Sequence, residues 1–237
     1  MYEAYWQLSA KPFETSVDAR FYYPSEVHQG ALLKLRYAVE SRRGGALLTG
    51  ASGTGKTLLV GWLKRQLAEN CAPFAHVVFP QMAPSELLAH IADELGAPAA
   101  PGTASVDQTV RRLQKFLNDN TAQGKHAVVA VDEAQLLPEL GNLETLRLLT
   151  NFDAGSQPAL TLLLVGQTAL LPALDRLPAL EERLGVKCLL RPLSADETAS
   201  YVTHRLSAAG AKREIFTPDA LTRLHQLSRG NPRRINR

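Results

Sequence analysis

Apolar positions along the chain follow two alternating rhythms. Short runs dominated by apolar or β-branched residues fall at 46–49, 75–79, Ala127–Val131, 160–165 and 186–190. Each ends against Gly, Pro or a charged residue, so each predicts a strand. Ala127–Val131 is apolar throughout, as a strand covered on both faces must be. Between the runs the apolar positions fall three or four apart. That spacing predicts helices over 25–42, 57–70, 84–95, 106–120 and 143–152. Ser25 is placed to cap the first, with Ala31, Leu32, Leu35 and Val39 on one face. Leu58, Leu59, Trp62, Leu63 and Leu67 form the apolar face of the second, while Pro84 opens and Gly96 stops the third.

After Pro192 the strand pattern stops. Helices are expected over 195–209 and Pro218–Ser228, with another starting near Pro232. Residues 1–24 carry Trp6, Phe13, Phe21, Tyr22, Tyr23 and Pro24 without a period and read as irregular. Residues 97–105, rich in Ala, Pro and Gly, read as an exposed loop. Strands alternating with helices imply an α/β fold, a doubly wound parallel five-stranded sheet, with a small helical lid after it. The expected division is 1–191 for the α/β domain and 192–237 for the lid. The chain stops in what reads as the first turn of a helix, so the lid is expected to be incomplete at its C-terminus.

A length of 237 residues suits one such domain with a small appendage. Apolar residues make up 45% and charged residues 21%, which excludes collagen and global disorder. Cys71 and Cys188 lack paired spacing and read as small buried hydrophobes. The first residues show no basic-then-apolar leader, and no apolar run approaches a membrane span. A soluble cytoplasmic protein is the expectation. The net charge of +3 is modest, but Arg229, Arg233, Arg234 and Arg237 crowd the end of the sequence. Such a cluster serves the phosphates of a nucleotide or of nucleic acid, or it is a solvated helix end.

Gly50-Ala51-Ser52-Gly53-Thr54-Gly55-Lys56-Thr57 fits the spacing G-x-x-x-x-G-K-[ST]. Glycines let backbone N–H groups turn inward around a phosphate chain, and the following helix points its positive end at the anion. Lys56 is placed to reach the β- and γ-phosphates, and Thr57 offers a hydroxyl to Mg²⁺. The alternative is a Gly-rich turn with an incidental lysine. The strand before the loop and the amphipathic helix after it argue for the nucleotide.

Asp132 and Glu133 follow the strand Ala127–Val131 directly. The carboxyl end of a buried strand is where ligands bind in open α/β sheets. Asp132 is thereby a candidate Mg²⁺ ligand and Glu133 a candidate base for polarising a water. An acidic residue directly after the metal carboxylate suits hydrolysis rather than transfer to an alcohol. The guanine-selecting pattern Asn-Lys-x-Asp is absent from the sequence, which favours ATP.

The chain resembles an AAA+ ATPase, in particular the ExeA-type general secretion pathway ATPase family. The resemblance runs through Tyr5-Trp6-x-Leu8, Lys11-Pro12-Phe13 and Arg20-Phe21-Tyr22-Tyr23-Pro24-Ser25. It continues through the P-loop, Asp132-Glu133-Ala134-Gln135, Leu164-Val165-Gly166-Gln167 and Arg191-Pro192-Leu193-Ser194, and ends on Gly230-Asn231-Pro232-Arg233-Arg234-Ile235-Asn236. It implies a P-loop NTPase of AAA+ type and assigns further roles. Gln167 falls at the first sensor, where an amide orients water or feels the γ-phosphate; a surface amide at a turn is the other reading. Arg183 falls at the arginine finger that reaches a neighbouring subunit's ATP, with Arg176 as runner-up and a helix-surface arginine as the plain alternative. Arg233 fits the second sensor, on the lid, with Arg234 as alternate. One ring of Phe21-Tyr22-Tyr23, here taken as Tyr23, is expected beside the adenine, unless the run simply packs in the core. His28 is a weaker candidate for the same region and reads rather as a satisfied surface histidine.

The resemblance implies an ATP-hydrolysing homo-oligomer that remodels a protein partner of secretion or pilus type. TniB-type and origin-recognition-type ATPases share these motifs, so an ATP-dependent DNA-binding regulator is the second reading. A nucleotide-gated scaffold without hydrolysis is the third.

Overall fold

The computed structural model describes residues 2–14, 19–98, 105–137, 139–155 and 157–237. In chain order the elements begin with a short helix α1 (Tyr2–Trp6), a 3-10 turn at Ala19–Phe21, and α2 (Glu26–Glu40). Then come β1 (Gly45–Gly50), α3 (Lys56–Gln66), β2 (Phe74–Val77), α4 (Pro84–Glu94), α5 (Val106–Ala122) and β3 (Ala127–Val131). A helix α6 (Leu140–Leu149), a small hairpin β4 (Asp153–Ala154) and β5 (Gln157–Pro158), and β6 (Leu160–Gly166) follow. Two one-turn helices, α7 (Leu171–Leu174) and α8 (Pro178–Glu181), lead to β7 (Leu184–Leu190). The chain ends with α9 (Ala195–Ala208), α10 (Pro218–Ser228) and α11 (Pro232–Ile235).

The five long strands form one parallel sheet in the order β2-β3-β6-β1-β7. The three central strands are buried along their whole length. Their side chains alternate between two cores, as the two-residue period of a strand requires. Leu47, Val129, Val131, Leu162 and Leu164 face α4, α5 and α6. Ala46, Leu48, Val128, Ala130, Leu163 and Val165 face α2 and α3. Each buried Leu or Val adds about 1.5–3 kcal/mol relative to exposure, so the sheet resists slipping by one residue, which would exchange the two faces. The edge strand β7 differs: its burial alternates, and Lys187 and Leu189 face outward.

Helix starts follow their capping chemistry. The Ser25 side chain accepts from the backbone N–H of His28 and starts α2. Reciprocal capping boxes join Ser105 with Gln108 on α5 and Ser194 with Glu197 on α9.

Several sequence expectations are corrected. The helix after the P-loop ends at Gln66, because Leu67 turns extended (φ −66°, ψ 146°). Helix α6 starts three residues before the expected Leu143 and stops at Leu149. The start of the chain is not wholly irregular, since it holds α1 and a 3-10 turn. Of the expected loop 97–105, Ala97 is buried, and residues 99–104 lie outside the described set.

The last three helices close a third apolar cluster of Leu193, Tyr201, Val202, Leu206 and Ile235. Phe13 and Tyr23, from the start of the chain, pack into it. Arg205 of α9 is buried there and donates to the backbone carbonyls of Pro12, Glu14 and Phe21. Its guanidinium lies 4.9 Å from the centre of the Phe21 ring. A buried cation needs this full set of acceptors. Among the described residues, no helix is long and apolar enough to cross a membrane.

Candidate active site

The carboxyl ends of β1, β6 and β3 lie side by side, because β6 sits between the other two. The P-loop, Gln167 and Asp132 leave from these three ends and are thereby neighbours.

In the P-loop, Gly53 and Gly55 have φ of +82° and +95°, the left-handed region that glycine enters without strain. A side chain at Gly53 would also collide with Asn231 Oδ1 and Arg233 Cβ, each 2.7 Å from an added Cβ. Lys56 begins α3, and its ammonium donates to the carbonyls of Gly50 and Ala51 at 3.0 and 3.1 Å. Burial lowers its pKa, against the opposing pull of Glu133 and Asp132.

Asp132 is 2% exposed, and its backbone N–H continues the sheet by donating to Val77 O. Its Oδ1 accepts the Glu133 backbone N–H at 2.8 Å, and its Oδ2 lies 3.7 Å from His76 Nε2. Burial pushes this carboxyl up, but the His76 imidazole, the Thr57 hydroxyl and the Glu133 N–H together hold it below its ordinary value. Thr57 and Asp132 thus present a hydroxyl and an ionised carboxylate side by side. That is a hard-oxygen donor set suited to Mg²⁺, which usually keeps water and substrate phosphate as its other ligands.

Glu133 sits in a left-handed conformation (φ +49°, ψ +37°), uncommon for a residue with a side chain. The turn brings it into the cleft with Lys56 and Thr57. Its Oε2 accepts from Gln135 Nε2 at 2.5 Å, and Gln135 Oε1 accepts the backbone N–H of Gln167 at 2.8 Å.

The third wall comes from the C-terminal helices. Arg233 Nη1 donates to Ser52 Oγ at 3.1 Å, and the Arg233 backbone N–H donates to Gly53 O. Asn231 caps α11 by accepting from the N–H groups of Arg233 and Arg234, and donates through Nδ2 to Ser52 O at 2.8 Å. Gly230 permits this approach: an added Cβ would lie 1.9 Å from Leu193 O. The resulting cleft holds about 370 Å³ and is walled on its far side by Trp62, Arg65, Tyr201, Arg205 and Asn236.

The candidates therefore separate. Gly53, Gly55, Lys56, Thr57, Glu133 and Arg233 line the cleft. Gly50, Ala51, Ser52 and Thr54 complete its loop, Asp132 lies behind Thr57, and Gln167 stands at the end of β6. Arg233 rather than Arg234 faces the P-loop. Arg183 lies at the opposite end of the sheet, before β7, where it donates to Thr150 O and Oγ1 at 2.9 and 3.1 Å. Arg176 is exposed.

Tyr23 is not among the cleft residues, contrary to expectation. Neighbouring side chains of an extended segment point to opposite sides. Tyr22 goes to Trp62, with ring centres 4.7 Å apart, and Tyr23 goes to Tyr201 and His204. The aromatic walls of the cleft are Trp62 and Tyr201.

His28 is also not at the surface. It is 6% exposed, with Nδ1 2.7 Å from Ser25 Oγ and Nε2 2.8 Å from the P-loop carbonyl of Thr54. A carbonyl only accepts, so Nε2 carries the proton and Nδ1 accepts from the serine. Burial lowers its pKa, which keeps this neutral form. The available signal was its place three residues after the N-cap Ser25.

Comparison with known proteins places the chain by sequence and by fold. The chain is 40% identical over 239 residues to General secretion pathway protein A of Aeromonas hydrophila, covering all of this chain and 43% of that protein. The chain thus spans less than half of that relative. Among solved structures it resembles Cdc6p from Pyrobaculum aerophilum, with a TM-score of 0.72 and 20% identity over 94% of this chain and 62% of that one. It also resembles the ORC2 protein of Aeropyrum pernix, with a TM-score of 0.69 and 18% identity over 96% of this chain and 64% of that one. At such identities the likeness is one of fold. The AAA domain profile matches residues 39–174, more than half of the sequence and the part that carries both the P-loop and Asp132-Glu133. The chain belongs to the AAA domain family.

Proposed function

We propose that the chain binds ATP with Mg²⁺ and hydrolyses it to ADP and phosphate, acting as a homo-oligomer. The observation that carries this reading is the convergence of P-loop backbone, Lys56, Thr57, Glu133 and Arg233 on one cleft. The loop N–H groups and the start of α3 bind the phosphates. Lys56 leaves its two carbonyl partners for the β- and γ-phosphate oxygens. Thr57 and Asp132 would hold Mg²⁺, which supplies charge neutralisation on the phosphates. Glu133 takes a proton from the attacking water, and Gln167 orients that water. Arg233 reads the γ-phosphate from the helices at 192–237, which act as a lid. Arg183, remote from its own cleft, serves the cleft of a neighbouring copy.

The test is ATP turnover across a protein-concentration series, comparing wild type with Glu133→Gln and Arg183→Ala. Specific activity rising with concentration, with both variants binding ATP but not turning over, is the expected result. Tight binding without turnover at every concentration would leave a nucleotide-gated scaffold instead. We further propose a protein partner of secretion type, motivated by the 40% identity to General secretion pathway protein A.

A further inference from the structure

Gln135 has no part in the scheme above, yet it has a specific place in the structure. Its Oε1 accepts the backbone N–H of Gln167, and its Nε2 donates to Glu133 Oε2. The amide cannot be turned round: a backbone N–H only donates, so the oxygen faces Gln167 and the NH₂ faces the carboxylate. Gly166 makes the room, since a Cβ there would lie 2.8 Å from Gln135 Oε1. The amide therefore joins the end of β6 to the side chain of a residue whose own backbone is left-handed.

We propose that Gln135 is a positioning residue that holds one carboxylate oxygen of Glu133 against the end of β6 and leaves the other free to accept from the attacking water. The proposal rests on Glu133 being the base. A carboxylate on a turn has several rotamers, and only one meets a water in line with the γ-phosphate. Anchoring Oε2 to a strand end selects that rotamer. Because the anchor's other end is the Gln167 N–H, the base and the water-orienting residue share one rigid link.

Two variants separate positioning from folding. Gln135→Met keeps the length and removes both hydrogen bonds. Gln135→Glu keeps the acceptor for Gln167 and replaces the donor with a like charge. Both are expected to lower kcat about ten- to a hundred-fold, while in Gln135→Met KM for ATP and the affinity for a fluorescent ATP analogue stay within about two-fold of wild type. Unchanged kcat in both variants, or KM rising in step with the loss in Gln135→Met, overturns the proposal. Wild type and Glu133→Gln turning over equally would remove the base assignment, a different failure. A second measurement is independent of turnover. The side-chain amide signal of Gln135, identified by its loss in Gln135→Met, is expected to move in the proton–nitrogen spectrum of Glu133→Ala. A signal indifferent to Glu133→Ala overturns the contact.

Discussion

Asn231 and Ser52 are 179 residues apart in sequence, and the Asn231 amide donates to the Ser52 carbonyl at 2.8 Å. The same side chain caps α11 through its oxygen. One residue thus fixes both the start of the last helix and that helix's hold on the P-loop. The two roles are separable. Asn231→Ala loses both and is expected to cost about 1 kcal/mol of stability through the cap and to weaken ATP binding. Asn231→Asp keeps the cap acceptor, loses the donor and places a negative charge by the phosphates. Thermal melts near wild type with an ATP affinity reduced at least as far as in Asn231→Ala are expected; equal ATP affinity in wild type and Asn231→Asp would refute the link.

Lys56 spends its ammonium on two loop carbonyls in a site that disfavours its charge. Removing it relieves a desolvated cation while freeing two acceptors at the edge of an open cleft. Lys56→Ala is therefore expected to melt close to wild type without nucleotide and to lose the rise in melting temperature that ATP gives the wild type. A melt that collapses without nucleotide would mean the lysine is structural.

His28 supports the P-loop from beneath, and its neutral Nε2–H is the donor to Thr54 O. Substituting Phe fills the space but leaves that carbonyl without its donor, a loss of about 1–3 kcal/mol. His28→Phe is expected to lower both the melting temperature and ATP affinity, whereas a distant core change such as Leu117→Ala lowers only the first. Calorimetry and nucleotide titration of the two variants give the comparison.

His126 makes stability depend on pH. Burial lowers its pKa to about 4, with the Arg42 guanidinium adding to the effect. Its Nε2 meets Thr161 Oγ1 at 2.8 Å, and its buried Nδ1 has no partner. In the unfolded chain it titrates near about 6.5. Between those values the unfolded state binds the extra proton, so the contribution is complete above about 6.5 and is lost as pH falls towards 4. The difference is of order 2–4 kcal/mol. His126→Phe is expected to flatten the fall in melting temperature across that window; an unchanged slope would assign the acid sensitivity elsewhere.

Much of the sheet was readable in advance because its central strands are buried on both faces, so the apolar runs had no polar partner to blur them. The P-loop was readable because its backbone constrains its glycines: Gly53 and Gly55 hold positive φ, and a Cβ at Gly50 would lie 2.7 Å from Leu190 O. What escaped was set by contacts distant in sequence. The one-turn helices α7 and α8 open with Pro at their first turns and are too short to show a period. Whether Tyr22 or Tyr23 would reach the cleft depended on where α9 packs, which no local pattern reports. His28 belonged to the P-loop only because Ser25 and Thr54 meet its two ring nitrogens from opposite sides.

Arg205 gives the opening residues a role that their irregular sequence does not announce. The carbonyls of Pro12, Glu14 and Phe21 are its acceptors, and Ser9 is tied to the end of α9 through Ala209 O. Arg205 and Tyr201 are at the same time part of the cleft wall. A proteolytic nick or a bulky fusion near residue 12 would strip acceptors from a cation that is only 6% exposed. The disturbance would travel along one helix into the cleft, so the Arg205 and Tyr201 part of its wall leans on Ser9, Pro12, Glu14 and Phe21.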